Sequence, residues 1–195
     1  MINSSSIVLE SGYKYIAISF VSSLFSFIFI CNTLGALLLA LTIFIGYIYR
    51  NPSKHIYTNS EHILSPINGK VEAIDHTKYT TKIYCKVNLC DTHLVRAPKD
   101  GKIDISKIKH GLNLNPYSYK GTLLNEQFEI NYDDMKIKFI AGVCNLTSKV
   151  TQKKEMTQGE PIAVFTEGIV VITRVKNENF QLKIGDKLAA GETKI

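Results

Sequence analysis

The sequence predicts a mainly β protein, a domain of sandwich or barrel type carrying an N-terminal α-helical membrane hairpin. Two observations carry that expectation. Residues 15–49, YIAISFVSSLFSFIFICNTLGALLLALTIFIGYIY, run without one charged side chain. After residue 61 the chain breaks instead into short apolar or alternating runs punctuated by Gly, Pro, Asn and Asp. Residues 159–175, GEPIAVFTEGIVVITRV, form the stretch on which function turns. They read as an apolar strand pair bent at Glu167-Gly168.

A helix rising 1.5 Å per residue needs only about 20 residues to cross hydrocarbon, so one straight span over residues 15–49 overshoots it. Two arrangements answer this: a single long tilted helix, or a hairpin of two helices, 15–30 and 34–49. The hairpin is preferred, because Cys31-Asn32-Thr33 and Gly35 are turn-tolerant and the two halves match in length. It brings Lys14 and the Arg50/Lys54 pair to one side, expected to be the cytoplasmic side. Asn51-Pro52 takes the place of a signal-peptide cleavage site and closes the helix, since a residue before proline is pushed out of α geometry. The expected layout is a hairpin over 1–50, a linker over 51–61 and a β domain over 62–195.

Strands are predicted at 70–74, 82–87, 93–96, 102–105, 127–132, 136–140, 162–165 and 169–175; no soluble amphipathic helix is predicted. Two turn phrases, Ser65-Pro66-Ile67-Asn68-Gly69-Lys70 and Ala97-Pro98-Lys99-Asp100-Gly101-Lys102, repeat the same design of a Pro, a turn-tolerant Asn or Asp, and a Gly before a strand. A third turn-rich phrase, residues 185–192, closes the chain. Biotinyl- and lipoyl-like adaptor domains use similar phrasing, but no lysine stands between two methionines to carry such a group.

Formal charge is +6, and residues 1–49 hold one acid (Glu10) and one base (Lys14), so the remainder carries 23−1 = 22 basic and 17−1 = 16 acidic groups. That excess suits nucleic acid or an anionic lipid surface as well as an ordinary solvated face. Nucleic acid is not expected as a partner; membrane phospholipid is. The four cysteines, Cys31, Cys85, Cys90 and Cys144, form no CxxC pair and no disulfide framework. Cys90 and His93 alone do not make a metal site, and no metal is expected.

Set in order, several phrases resemble the phosphatidylserine decarboxylase family in its short bacterial form. Tyr49-Arg50-Asn51-Pro52 resembles the family's aromatic-Arg-Asp/Asn-Pro exit from the membrane, and Ser65-Pro66-Ile67-Asn68-Gly69 its Ser-Pro-Ala-Asp-Gly. Asp91-Thr92-His93-Leu94-Val95-Arg96-Ala97-Pro98 with Gly101-Lys102 resembles its Asp-Val-His-Val-Asn-Arg-x-Pro-x-x-Gly-Lys. Lys120, Asn125-Glu126, Ile140-Ala141-Gly142 and Gly159-Glu160 fall at matching spacings. The resemblance implies a proenzyme that cuts itself at a Gly-Ser bond to leave a pyruvoyl group, the electron sink for turning phosphatidylserine into phosphatidylethanolamine. It places a catalytic base at His93 and the base's orienting Asp at position 68.

This chain departs from that pattern where the chemistry is made. Asn68 stands for the Asp; in a Ser-His-Asp triad that change costs on the order of 10⁴ in rate. Cys144-Asn145-Leu146 replaces a family Ala-Arg-Arg. Counted from Gly159-Glu160, Gly168-Ile169 falls on the Gly-Ser, so Ile169 stands for the pyruvoyl serine; counted from Phe165, Thr166-Glu167 does. Residues 149–195 contain neither Ser nor Cys. The expectation is a decarboxylase-related membrane protein that makes no serine-derived pyruvoyl cofactor and has a lipid-binding or partner role. The alternative is an active decarboxylase using Thr166 as nucleophile on the Phe165 carbonyl. An adaptor domain without lipid chemistry is the distant third.

Overall fold

The computed structural model describes residues 8–51, 62–132, 134–145, 148–175 and 181–195. Two compact units emerge, one over residues 2–53 and one over 54–195. The linker expected at 51–61 falls, past Asn51, outside the described residues.

The first unit is a helical hairpin of α1 (Glu10–Phe29) and α2 (Asn32–Ile48). The turn is tighter and earlier than expected. Ile30 leaves helical geometry at φ −119°, ψ −82°, Cys31 is extended, and both amides fold back on the Ser26 carbonyl. Asn32, Thr33 and Gly35 therefore lie in α2, and Glu10 and Lys14 lie in α1. Two residues suffice because Ile30 and Cys31 find backbone partners without a side-chain cap. The seam between the helices is polar and small. Ser19 and Thr42 share a hydrogen bond of 2.8 Å, Ser23 donates to the Gly35 carbonyl at 2.9 Å, and Gly12 lies against the Tyr49 ring. The open ends are clasped where the Leu9 amide donates to the Tyr49 carbonyl. α1 is long and apolar enough to cross a membrane, whereas α2 is shorter, at 17 residues.

The second unit is built on a seven-stranded antiparallel sheet in the order β12-β1-β2-β11-β7-β6-β5. Its strands are β1 (Gly69–His76), β2 (Thr80–Val87), β5 (Asp104–Lys109), β6 (Gln127–Asn131), β7 (Met135–Ala141), β11 (Gly168–Val175) and β12 (Lys187–Leu188). A three-stranded sheet joins β3 (Leu94–Arg96), β10 (Pro161–Phe165) and β8 (Ser148–Val150), and β4 (Gly101–Lys102) pairs with β9 (Glu155–Met156). Apolar residues recur at every second position of β2 and β11, so Ile83, Cys85, Val170 and Ile172 face inward and are fully buried. Phe128 and Phe139 stack at 4.2 Å between centroids, and Phe165 of the smaller sheet meets Phe139 edge-on at 5.2 Å. The two sheets thus share one core. The larger sheet stays open, with β12 and β5 at its edges, so the domain is a packed two-sheet architecture and no closed barrel.

Two expectations need correction. The predicted strand at 102–105 is interrupted at Ile103, whose amide donates to the Lys154 carbonyl, and becomes β4 and β5. A short helix that the sequence did not announce, α3 (Tyr119–Leu124), is capped by the Ser118 hydroxyl accepting from the Gly121 amide at 2.9 Å. Six residues are too few to show a helical apolar period.

Candidate functional site

The segment 159–175 is not a strand pair. β10 bonds to β3 and β8, β11 bonds to β2 and β7, and the chain crosses from one sheet to the other through Thr166 and Glu167. The bend expected at Glu167-Gly168 is this crossing. Gly168 holds φ at +144°, and a Cβ there would stand 2.2 Å from the Ile140 carbonyl oxygen. The backbone sign and the close approach both demand glycine.

His93 sits in the loop ahead of β3 and is 1% exposed. Its Nε2 lies 3.0 Å from the Leu89 carbonyl, which only accepts, so Nε2 carries a proton and Nδ1 is the ring's basic nitrogen in the neutral form. The His93 carbonyl accepts from the Phe165 amide at 2.9 Å. That bond ties the histidine to β10 three residues before Gly168. Val87, the register partner of Gly168 on β2, lines the same niche as His93, Asn68 and Phe165. The fold therefore gathers positions 68, 93 and the Gly168 crossing at one end of the core. The niche has no room for even a water molecule.

Asn68 is satisfied as an amide. Its Nδ2 donates to the Thr92 carbonyl at 3.1 Å, and its Oδ1 accepts from the Ala190 amide at 3.1 Å. An aspartate could keep the second bond but would turn a carboxylate oxygen toward the Thr92 carbonyl. Thr166 is fully buried, its amide donating to Asn145 Oδ1 at 3.3 Å. Ile169 is half-buried on the opposite face of β11 from the core residues Val170 and Ile172.

The matching phrases interlock in space. The Arg96 amide donates to the Pro66 carbonyl, the Ala97 amide to the Glu160 carbonyl and the Gly159 amide to the Ala97 carbonyl, and Arg96 Nη1 donates to the Gly159 carbonyl at 2.9 Å. The Ser65 amide and carbonyl pair with Thr193 and Gly191 of the closing phrase. Asn125 is fully buried, its side chain bonding Leu114 through both amide and carbonyl and the Ala141 carbonyl as well. Burial lowers the Arg96 pKa, with Glu192 acting against it.

Two site features escaped the sequence. The Glu167 carboxylate accepts from the Cys144 amide at 2.9 Å and fills the space a Cβ on Gly142 would take. Asn145, noted only as a replacement for a family arginine, anchors the crossing itself. Neither has a sequence signal, because a carboxylate or amide that bonds a backbone N–H across 21 to 23 residues leaves no spacing pattern. Among the described residues no group of three or more His, Cys, Asp or Glu stands close enough to hold a metal.

Comparison with known proteins now bears on this geometry. The family model described as phosphatidylserine decarboxylase matches residues 41–195. A phosphatidylserine decarboxylase proenzyme of Syntrophotalea carbinolica is 30% identical, with 99% of this chain and 97% of that protein covered. Those of Pelagibacter ubique and Ehrlichia chaffeensis are 28% and 24% identical, covering 94% of this chain and 93% and 88% of their own lengths. No solved structure matches. A match over the last 155 residues and an end-to-end relative together place the β domain and its interlocked phrases: the chain belongs to the phosphatidylserine decarboxylase family.

Proposed function

We propose that this chain is a membrane-anchored member of the family that does not cut itself, and that it binds a membrane phospholipid such as phosphatidylserine, or a partner protein of phosphatidylethanolamine synthesis, without decarboxylating the lipid. The observation that carries this reading is Gly168-Ile169. The crossing requires glycine at 168, which supports the register that aligns this pair with the family's Gly-Ser, and the next side chain is a hydrocarbon. A sec-butyl group has no atom that can attack a carbonyl, so the residues present do not fit a serine-derived pyruvoyl group. Asn68, bonded as an amide, supports the same reading. The helix α1 supports anchoring, with the β domain on the cytoplasmic side of the inner membrane.

The competing reading makes Thr166 the nucleophile. Its complete burial weighs against that role, since the hydroxyl has no access to solvent for the hydrolytic step. Intact-mass analysis of the purified full chain separates the two. A single species near 21.9 kDa is expected. Two fragments, one with a carbonyl end trapped by hydroxylamine, would overturn the proposal. Reconstitution in vesicles containing phosphatidylserine completes the test, with no phosphatidylethanolamine above blank expected.

A further inference from the structure

The seven-stranded sheet buries one face and leaves the other without a second sheet. Register places Lys187, Lys70, Lys86, Ile169, Ile140, Gln127 and Lys109 in one row across that face, with Ile140 and Gln127 buried. Lys138 and Tyr84 fall in the next row, and Lys82 and Lys136 in the one beyond. The segment 112–124, including α3, lies along the first row. Thr122 accepts from Gln127 Nε2 of β6, while Tyr117 stacks under Lys86 Nζ and donates its hydroxyl to Glu72 of β1. Lys109 Nζ donates to the Leu123 carbonyl, fixing the segment at its other end.

This held segment presents its apolar side chains outward. Tyr119 is 79% exposed, Leu112 55%, Leu123 48% and Leu124 47%. Four large apolar groups on one ordered segment, beside a field of lysines, are costly to leave in water and are not scattered singly. Among the described side chains the face and its segment carry eight lysines, those above and Lys120. Against them stand four carboxylates: Glu72, Asp75, Asp104 and Glu129. Glu72 is already bonded to Tyr117 and Glu129 to Lys136 at 2.7 Å, and Asp75 and Asp104 lie in the row farthest from α3. Among the described side chains the face and its segment therefore carry a net charge of 8−4 = +4.

We propose that this open face, led by Tyr119, Leu123 and Leu124, is the surface by which the β domain docks on an anionic phospholipid bilayer. Lysines along the rows match anionic headgroups, while the aliphatic and aromatic tips of 112–124 enter the headgroup–acyl boundary. A nucleic acid would use the lysines but offers nothing to the three leucines. The surface adjoins the Gly168 crossing, since Ile169 lies in its first row, but docking does not require that the chain cut itself.

The test uses the full chain in vesicles of phosphatidylcholine, with and without about a third phosphatidylglycerol. Cys31, Cys90 and Cys144 are replaced by serine, while Cys85 is kept because burial pushes its thiol up to about 12 and out of reach of labels. An environment-sensitive fluorophore is placed through Tyr119→Cys, Leu123→Cys or, as a control on the loop beyond the smaller sheet, Gln152→Cys. Shallow nitroxide lipids are expected to quench labels 119 and 123 several-fold more than label 152. The difference should grow with phosphatidylglycerol, shrink at high salt, and fall at least twofold in a Lys82→Gln, Lys120→Gln, Lys138→Gln variant. Equal quenching at all three sites, or equal access of aqueous iodide, would overturn the proposal. So would shielding of 119 and 123 that persists in detergent without lipid, which would mark a protein–protein face instead.

Discussion

The helix pair and the β domain bury opposite chemistries. Along α1 and α2 the buried residues are Ser19, Ser23, Ser26, Thr42 and two glycines, with apolar Leu9, Ile48 and Tyr49 buried only at the open end, while Ile28, Phe29 and Ile43 point outward at 68–72% exposure. In the β domain the interior is Phe128, Phe139, Phe165 and the inward rows of Ile and Val, and the outer rows are lysine. The difference matches the membrane anchoring proposed above, in which the helix pair would face lipid and the β domain water. Hydrocarbon gives apolar side chains no reason to hide from it, so a helix pair in lipid is held by close approach at small residues and by interhelical hydrogen bonds. Water supplies the driving force in the β domain, on the order of 25 cal/mol for each Å² of apolar surface removed.

That contrast can be broken most severely at the aromatic cluster. Phe139→Ala is expected to cost about 3–5 kcal/mol, because the ring is fully buried and contacts two others. Denaturant unfolding of the β domain measures it; an unchanged midpoint would deny the shared core. Gly168→Ala comes next, at about 2–4 kcal/mol, from the left-handed φ and the collision with the Ile140 carbonyl. A melting temperature equal to wild type would show that the crossing can relax.

Asn68→Asp is expected to lose about 1–3 kcal/mol at neutral pH, since a carboxylate oxygen then faces the Thr92 carbonyl where an amide donated. Stability rising on this substitution would mean that the site prefers the family's acid after all. Cys85 gives a pH signature. Burial chiefly, and Glu72 next, raise its thiol from 9.0 to about 12, so the unfolded chain releases the proton first. Stability is therefore full below pH 9 and falls between pH 9 and 12, by up to about 1.4 kcal/mol per unit. Cys85→Ala should flatten that slope, as urea midpoints at pH 8 to 10.5 can show. The smallest effect belongs to the helix pair: Ser19→Ala removes one hydrogen bond to Thr42, at about 0.6 kcal/mol. Steric trapping in bicelles resolves that size, and a loss of several kcal/mol would contradict the packing-led account.

Much of this was legible in the chain. Alternation in 82–87, 136–140 and 169–175 marked strands that the structure places at the centre of the large sheet, where a period of two faces a single core. The uncharged run marked the helix pair. The candidate site was read from the phrases Asn68-Gly69, His93 to Pro98 and Gly159-Glu160 through their resemblance to the family, and the structure gathers Asn68 and His93 in one niche. Less legible were α3, which is shorter than two turns, and the hairpin turn, where Asn32 and Gly35 looked like breakers but backbone bonds at Ile30 and Cys31 made the reversal.

Local chemistry, then, settled what each segment is: residue period selects strand or helix, Gly and Pro place turns, and the absence of Ser and Cys after residue 148 is a matter of composition alone. Only the tertiary structure decided which segments meet. It made 159–175 a passage between two sheets, brought Asn68 and His93 to its end, and turned eight lysines to one side with Tyr119 and its leucines. Those arrangements rest on pairings between residues 20 to 120 positions apart, and no local period encodes a partner at that distance.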